Sequence, residues 1–416
     1  MQTERVIENQ IKWNECNKLW STLFVVFCLT SLVISTVLFM LNNVMSLYVN
    51  HIGGKAAFSG ILMLCFSAAA VVSRLASGYF ADKKGRFAVM LTGELIFFAS
   101  VILCAFLPYL GALPVLRMVQ GIGYAAVNTA TAAAVADIIP KNRFGEGIGY
   151  YTLAMSLAQA LGPAFGLYLI SGGNYFQMFI LAGVLILAVA ALTFNSRRND
   201  YFTSYQPQAK VKKAESTEST ASVQYTGIWR YIEKKALGAS ITEFLICFAM
   251  ASIVVFATLF AISRGFESAT AMFFIISAVA SIVTRLFIGK LFDKFGPVPT
   301  LTAGFICGIF STVTMVFVSN PIIFIGIGAA YGFCIGITTT VLNTSALKNV
   351  DSNRRGAASA TFWLSMDLGY GLGGAVWGIV IDRFSFQLTY WGVTAVMLIG
   401  LIFSLVYFTN KSRTSS

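Results

Sequence analysis

Apolar stretches of about twenty residues recur along this chain from Leu23 to Phe408, and that recurrence decides which solvent the chain can fold in. A helix of that length rises about 30 Å, the thickness of the hydrocarbon core of a bilayer. Backbone N–H and C=O groups find no water there, so each run must close its hydrogen bonds within itself as a helix. Of the 416 residues, 57% are hydrophobic and only 11% charged, against roughly 25% charged in a soluble domain. A water-soluble fold is excluded. Hydropathy in windows of about nineteen residues predicts an all-α membrane protein of twelve transmembrane helices, centred near residues 33, 67, 97, 125, 158, 185, 249, 280, 309, 334, 368 and 398.

The polar remainder divides the chain. Residues 1–20 form a mixed-charge N-terminal segment and 21–194 a first set of six helices. Residues 195–235 form a linker rich in Lys, Ser, Thr, Gln and Glu, 236–409 a second set of six helices, and 410–416 a C-terminal segment. A linker of that composition cannot bury a core. The first apolar run has no small-residue cleavage site behind it and is expected to stay as a helix. With the N-terminus inside, every one of the 29 Lys and Arg residues lies on the cytoplasmic side except Lys55, Arg264 and Arg383 in outer loops and Arg74, Arg117 and Arg285 in helices. Cytoplasmic loops of membrane proteins carry this excess. Both termini and the linker are therefore expected in the cytoplasm, in a plasma (bacterial inner) membrane. The net charge of +12 then reflects topology and anionic lipid headgroups rather than nucleic acid. Cys16, Cys28, Cys65, Cys104, Cys247, Cys307 and Cys334 are scattered singly and His51 is the sole histidine. They predict neither disulfides nor a metal site, and no cofactor is expected.

An internal repeat gives the organisation. An offset of 211 carries Arg74, Gly78, Asp82, Lys83 and Gly85 onto Arg285, Gly289, Asp293, Lys294 and Gly296. It also carries Gly121 onto Gly332, Arg143 onto Arg354, Gly145 onto Gly356 and Gly162 onto Gly373. Two related halves flank the linker.

The string from Gly78 through Asp82, Lys83 and Gly85 to Arg86 resembles the signature loop of the major facilitator superfamily. Arg117-Met-Val-Gln120-Gly121-Ile-Gly123 resembles that family's second motif, and Gly162-Pro163-Ala-Phe-Gly166 its third, which is associated with proton-driven exporters. The residue types suit their places: small residues let helices approach closely, and Gly85 permits a tight turn. Departures are Phe87 in place of a second basic residue, Ala158 and Leu167 in place of glycines, and Asn42 and Asn43 where many drug exporters carry a carboxylate. The resemblance implies two pseudo-symmetric six-helix bundles and alternating access between them. It further implies a cytoplasmic clasp among Asp82, Arg86, Arg143, Asp293 and Arg354, with Asp137 a partner for Arg74 or Arg86. By the same resemblance the first, fourth, seventh and tenth helices line a central cavity. The candidates there are Asn42, Asn43, Arg117, Gln120, Asn128, Phe244, Phe248, Tyr331, Thr339 and Asn343.

Charges inside the apolar runs are costly and mark pathways. Asp367 lies about 16 Å past Gly356 along the eleventh helix, near the midplane, and Arg117 in the outer part of the fourth. Asp367 is expected to exchange a proton with Arg117 modulating charge in the same cavity, and Glu94 is the next candidate. The chain carries no Walker string, so ATP is not the expected energy source, and no enzymatic constellation is present. The expected activity is proton-coupled export, by antiport, of a small amphipathic organic compound or metabolite by a monomer whose other partners are protons and lipids. The alternatives are a proton symporter on the same fold and a receptor or accessory protein that has lost transport.

Overall fold

The computed structural model describes residues 19–140, 143–170, 172–198, 232–348, 350 and 354–414. Twelve long helices account for nearly all of them. They are α1 (Thr22–His51), α2 (Ala56–Lys84), α3 (Arg86–Phe106), α4 (Leu113–Ile138), α5 (Phe144–Ile170) and α6 (Tyr175–Asn195), then α7 (Leu237–Ser263), α8 (Thr270–Phe295), α9 (Pro297–Phe317), α10 (Pro321–Lys348), α11 (Arg355–Arg383) and α12 (Phe386–Thr414). Each is long and apolar enough to cross a membrane, and each expected centre falls inside one of them. His51 closes α1 and lies against Tyr175. Most of the linker and the first eighteen residues, with Cys16, lie outside the described residues; the six described cysteines are free thiols.

Local chemistry sets the ends. The Ser21 hydroxyl accepts the Phe24 amide at the start of α1, and the Asn174 side chain does the same for Gln177 at the start of α6. Gly85 (φ 95°) turns α2 into α3, and Gly296 (φ 77°) turns α8 into α9. Only glycine enters that region cheaply, and the two stand at repeat-related positions.

The halves pack by one plan. In the first, α1 lies on α5 and α6, α4 on α2 and α3, and α3 on α6; in the second, α7 lies on α11 and α12, α10 on α8 and α9, and α9 on α12. A Cβ on Gly121 of α4 would strike the Phe66 carbonyl oxygen of α2, and one on Gly332 of α10 would strike that of Ser277 on α8. Phe66 and Ser277 are again 211 residues apart. The halves meet along α2 against α11 and α5 against α8, with α1 touching α7. Halves of this kind are related by an axis along the membrane normal. Because the helix count is even, both described ends emerge on one face. That face carries Lys83, Lys84, Arg86, Arg143 and Arg354 and is called the basic face below; the other is the far face.

Candidate functional site

At the far face the halves are locked together. The Asp382 carboxylate at the end of α11 accepts the backbone amides of Ala56 (3.0 Å) and Ala57 (2.7 Å) at the start of α2. Below this, α2 and α11 approach so closely that a Cβ on Gly60 would overlap the Gly374 carbonyl, and one on Gly371 would lie 2.6 Å from the Ser67 Cβ. Between α1 and α7 the Thr258 hydroxyl donates to Asn43 Oδ1 at 2.7 Å. Gly371 and Gly374 of α11 thus lie on the surface on which the second helix of the other half rests.

Toward the basic face the halves part around a cavity of about 550 Å³. Its walls run from Glu146 and Tyr150 in the first turns of α5 to Asn42, Met63 and Tyr370 at depth, and include Arg285, Thr339, Asn343, Trp363 and Asp367. Behind the lining residue Asp367 of α11 stands Arg74 of α2, which donates to it through Nε at 2.5 Å and Nη2 at 3.4 Å, and to Asn128 Oδ1 of α4 at 3.3 Å. This is a buried ion pair between the two halves. Such a pair has its desolvation offset by mutual attraction only while both partners stay in place.

The structure distributes the expected site residues unevenly. Asn42, Thr339, Asn343 and Asp367 line the cavity. Asn43 and Tyr331 border a smaller void beside it with Gln159 and Pro163. Phe244 and Phe248 pack on each other, and the Phe248 carbonyl accepts the Trp377 indole N–H. The expected juxtaposition of Arg117 with Asp367 is not found. Arg117 is buried inside the first half, where it donates to Asn42 Oδ1 (2.9 Å) and Gln120 Oε1 (3.0 Å) and lies over the Phe66 ring. It is Arg74 that meets Asp367. Glu94 is buried between α3 and α6 and accepts the Thr193 hydroxyl at 2.9 Å, away from the cavity lining.

The basic-face charges form pairs within each half. Arg86 bonds Asp137 at 2.8 Å, so Asp137 serves Arg86 and not Arg74. Arg143 bonds Glu146 three residues on, and Arg354 bonds Glu233 at 2.8 Å. Asp82 stands in the last turn of α2, and its side chain lies outside the described residues. Gly162 receives the α1 backbone at Thr36 and Met40, and Gly166 the Met40 and Val44 side chains. Gly78 and Gly289 have nothing within 4 Å of a built Cβ.

One acid went unrecognised in the sequence. Glu243 of α7 is fully buried, accepts the Thr339 hydroxyl at 3.0 Å and the Cys247 thiol at 3.7 Å, and has no partner for Oε2. It is the only carboxylate in the α7 run, which is the signal that could have found it.

A family model described as Major Facilitator Superfamily matches residues 27–374. The multi-drug resistance efflux pump PmrA homolog of Lactococcus lactis subsp. lactis is 25% identical over 376 residues, covering 88% of each chain. The staphylopine export protein of Staphylococcus aureus is 21% identical over 384 residues, covering 90% of this chain and 94% of its own. Among solved structures, the nucleoside transporter NupG superposes with a TM-score of 0.70 at 14% identity, covering 93% of this chain and 99% of its own. That likeness establishes the fold.

Proposed function

The chain belongs to the major facilitator superfamily, and from that premise we propose that it is a proton-coupled exporter, an antiporter of a small amphipathic organic compound or metabolite. The observation that carries this reading is the cavity between the halves, open toward the basic face and sealed at the far face, with Asp367, the α11 partner of the cross-half pair with Arg74, in its wall. The basic face is the cytoplasmic one by the positive-inside rule, so the cavity takes solute from the cytoplasm of a plasma or bacterial inner membrane. Export is supported by relatives named as a multi-drug efflux pump and a staphylopine exporter. Asp367 is the coupling acid of this proposal. When α2 and α11 separate to open the far face, the Arg74–Asp367 contact is the buried charged contact that must be remade. A proton on Asp367 would replace the cation that otherwise balances it.

The test uses proteoliposomes with an imposed pH gradient and a panel of labelled amphipathic compounds. Expected is gradient-driven movement out of the compartment facing the basic side, collapsed by a protonophore. Asp367→Asn should abolish the gradient drive while leaving solute exchange at equal pH. Accumulation toward the basic side would indicate import, and an Asp367→Asn protein with the wild-type gradient dependence would remove Asp367 from coupling.

A further inference from the structure

The repeat places two arginines at equivalent depth, Arg74 on α2 and Arg285 on α8, and surrounds them differently. Arg74 has two acceptors, Asp367 on α11 and Asn128 on α4. The offset of 211 that superposes the glycine contacts puts Ser156 of α5 where Asp367 stands, and Thr339 of α10 where Asn128 stands. Both replacements are neutral hydroxyls, weaker acceptors than a carboxylate, and neither is hydrogen-bonded to Arg285. Ser156 donates to the Thr152 carbonyl at 3.0 Å and Thr339 to Glu243 at 3.0 Å. Arg285 lines the cavity, has no hydrogen bond or ion pair among the described residues, and its buried Nε has no acceptor. Asn343, in the same wall, has a buried Oδ1 without a donor. Glu243 interacts with Arg285 only at a distance, by its charge.

A guanidinium facing a cavity without a hydrogen-bonded counter-ion is an unfinished site. It presents a planar fork that matches a carboxylate. We propose that Arg285 is the anchor for the carboxylate of the transported solute, so that the ligand supplies the acceptor that Asp367 supplies to Arg74. The solute class is an amphipathic organic anion, its acid on Arg285 and its apolar body among Phe39, Trp363, Met366 and Tyr370 of the same cavity. The inference rests on the exporter reading above, and its first test is binding, which does not require transport.

The probes are a matched pair, 1-naphthylacetate and 1-naphthylacetamide, equal in shape and differing in charge. They are titrated into purified protein in detergent with intrinsic Trp fluorescence as the readout. Wild type should bind the carboxylate about tenfold or more tighter than the amide, the usual worth of a charge-assisted bond. Arg285→Gln should erase that ratio while keeping amide affinity. Arg285→Lys, which keeps the charge but loses the fork, should retain part of it and guards against a folding defect in the first variant. Ser156→Asp installs the missing counter-ion and should also erase the ratio with Arg285 intact. Equal affinities in wild type, an undiminished ratio in Arg285→Gln, or no saturable binding of either probe would overturn the proposal. Flux in the same proteoliposomes separates the two readings. Proton-driven efflux without an anion preference defeats only this inference, and an anion preference without such efflux defeats only the exporter reading.

Discussion

Replacing Asp382 by asparagine should open the far face. The native carboxylate, on the second half, holds the first two backbone amides of α2, on the first half, at 3.0 and 2.7 Å. The contact therefore exists only while the far face is closed. Hydrogen bonds to a charged acceptor contribute about 1.5–3 kcal/mol net where they are sheltered, and a charge at a helix N-terminus about 0.3–1 kcal/mol. Asp382 is solvent-exposed, which lowers both figures, and asparagine keeps one acceptor oxygen. The expected loss is about 1–2 kcal/mol, which moves the ratio of closed to open far face by about 5- to 30-fold toward open. Spin labels at the exposed far-face positions Asn50 of α1 and Phe384 after α11 report the separation of the halves by pulsed dipolar spectroscopy. Asp382→Asn should raise the long-distance population, and Asp382→Glu should restore much of the native distribution. Identical distributions for the wild type and Asp382→Asn would refute the idea that this carboxylate latches the halves.

Two further outcomes follow from packing and charge within the halves. Gly332→Ala drives a Cβ into the Ser277 carbonyl of α8, an overpacking worth about 1–3 kcal/mol, and should lower the melting temperature in detergent by several degrees. Gly289→Ala, with nothing within 4 Å of its Cβ, should leave that temperature unchanged or slightly raised, and equal behaviour of the two would contradict the contact. Arg86 and Asp137 meet at 2.8 Å with the arginine buried, so a double-mutant cycle of Arg86→Gln and Asp137→Asn should give a coupling of about 1–3 kcal/mol; a coupling near zero would mean that the ion pair does not tie α3 to α4.

Twelve helices, two halves and the glycine turns at Gly85 and Gly296 were legible because each rests on a local or periodic signal. Apolar length sets a span, and a positive φ demands glycine whatever surrounds it. The cross-half contacts were not legible, because nothing local encodes them. Arg74 and Asp367 are 293 residues apart, and the sequence offered Asp137 as an equally reasonable partner for Arg74. A depth argument would have favoured Asp367: Arg74 lies about 15 Å from the basic end of α2 and Asp367 about 18 Å from that of α11. Asp137, at the basic end of α4, lies far shallower. Arg117 misled for the opposite reason. A buried arginine suggests a cavity residue, yet here its guanidinium donates to the amide oxygens of Asn42 and Gln120 inside one bundle, with Nε left without an acceptor.

Where the repeat holds and where it breaks divides the labour in this molecule. Alternating access needs two interfaces that can exchange roles, and α2 on α11 and α5 on α8 are related by the same offset that relates the glycines. A solute has no such symmetry, so its recognition has to come from positions where the halves differ. Those positions include several helix-borne charges and the surroundings of the repeat-matched pair Arg74 and Arg285. Arg117 stands opposite Gly328, Glu94 opposite Phe305 and Asp367 opposite Ser156 at the offset of 211, and no acid anywhere in α1 answers Glu243. Charges in lipid are kept only where something offsets them. Arg117 and Glu94 are met by neutral hydrogen-bonding partners within the first bundle, and Asp367 is met by Arg74. Among the described residues, Arg285 is the helix-borne arginine that lines the cavity, with Glu243 acting on it by charge. We infer that glycine substitutions along the repeat will alter how the halves close without altering which solutes bind, whereas charge changes at Arg285, Glu243 and Asp367 will alter solute preference and coupling in a protein that still closes. A Gly371→Ala variant with changed selectivity but native closure, measured with the probe pair and the spin labels above, would contradict that division.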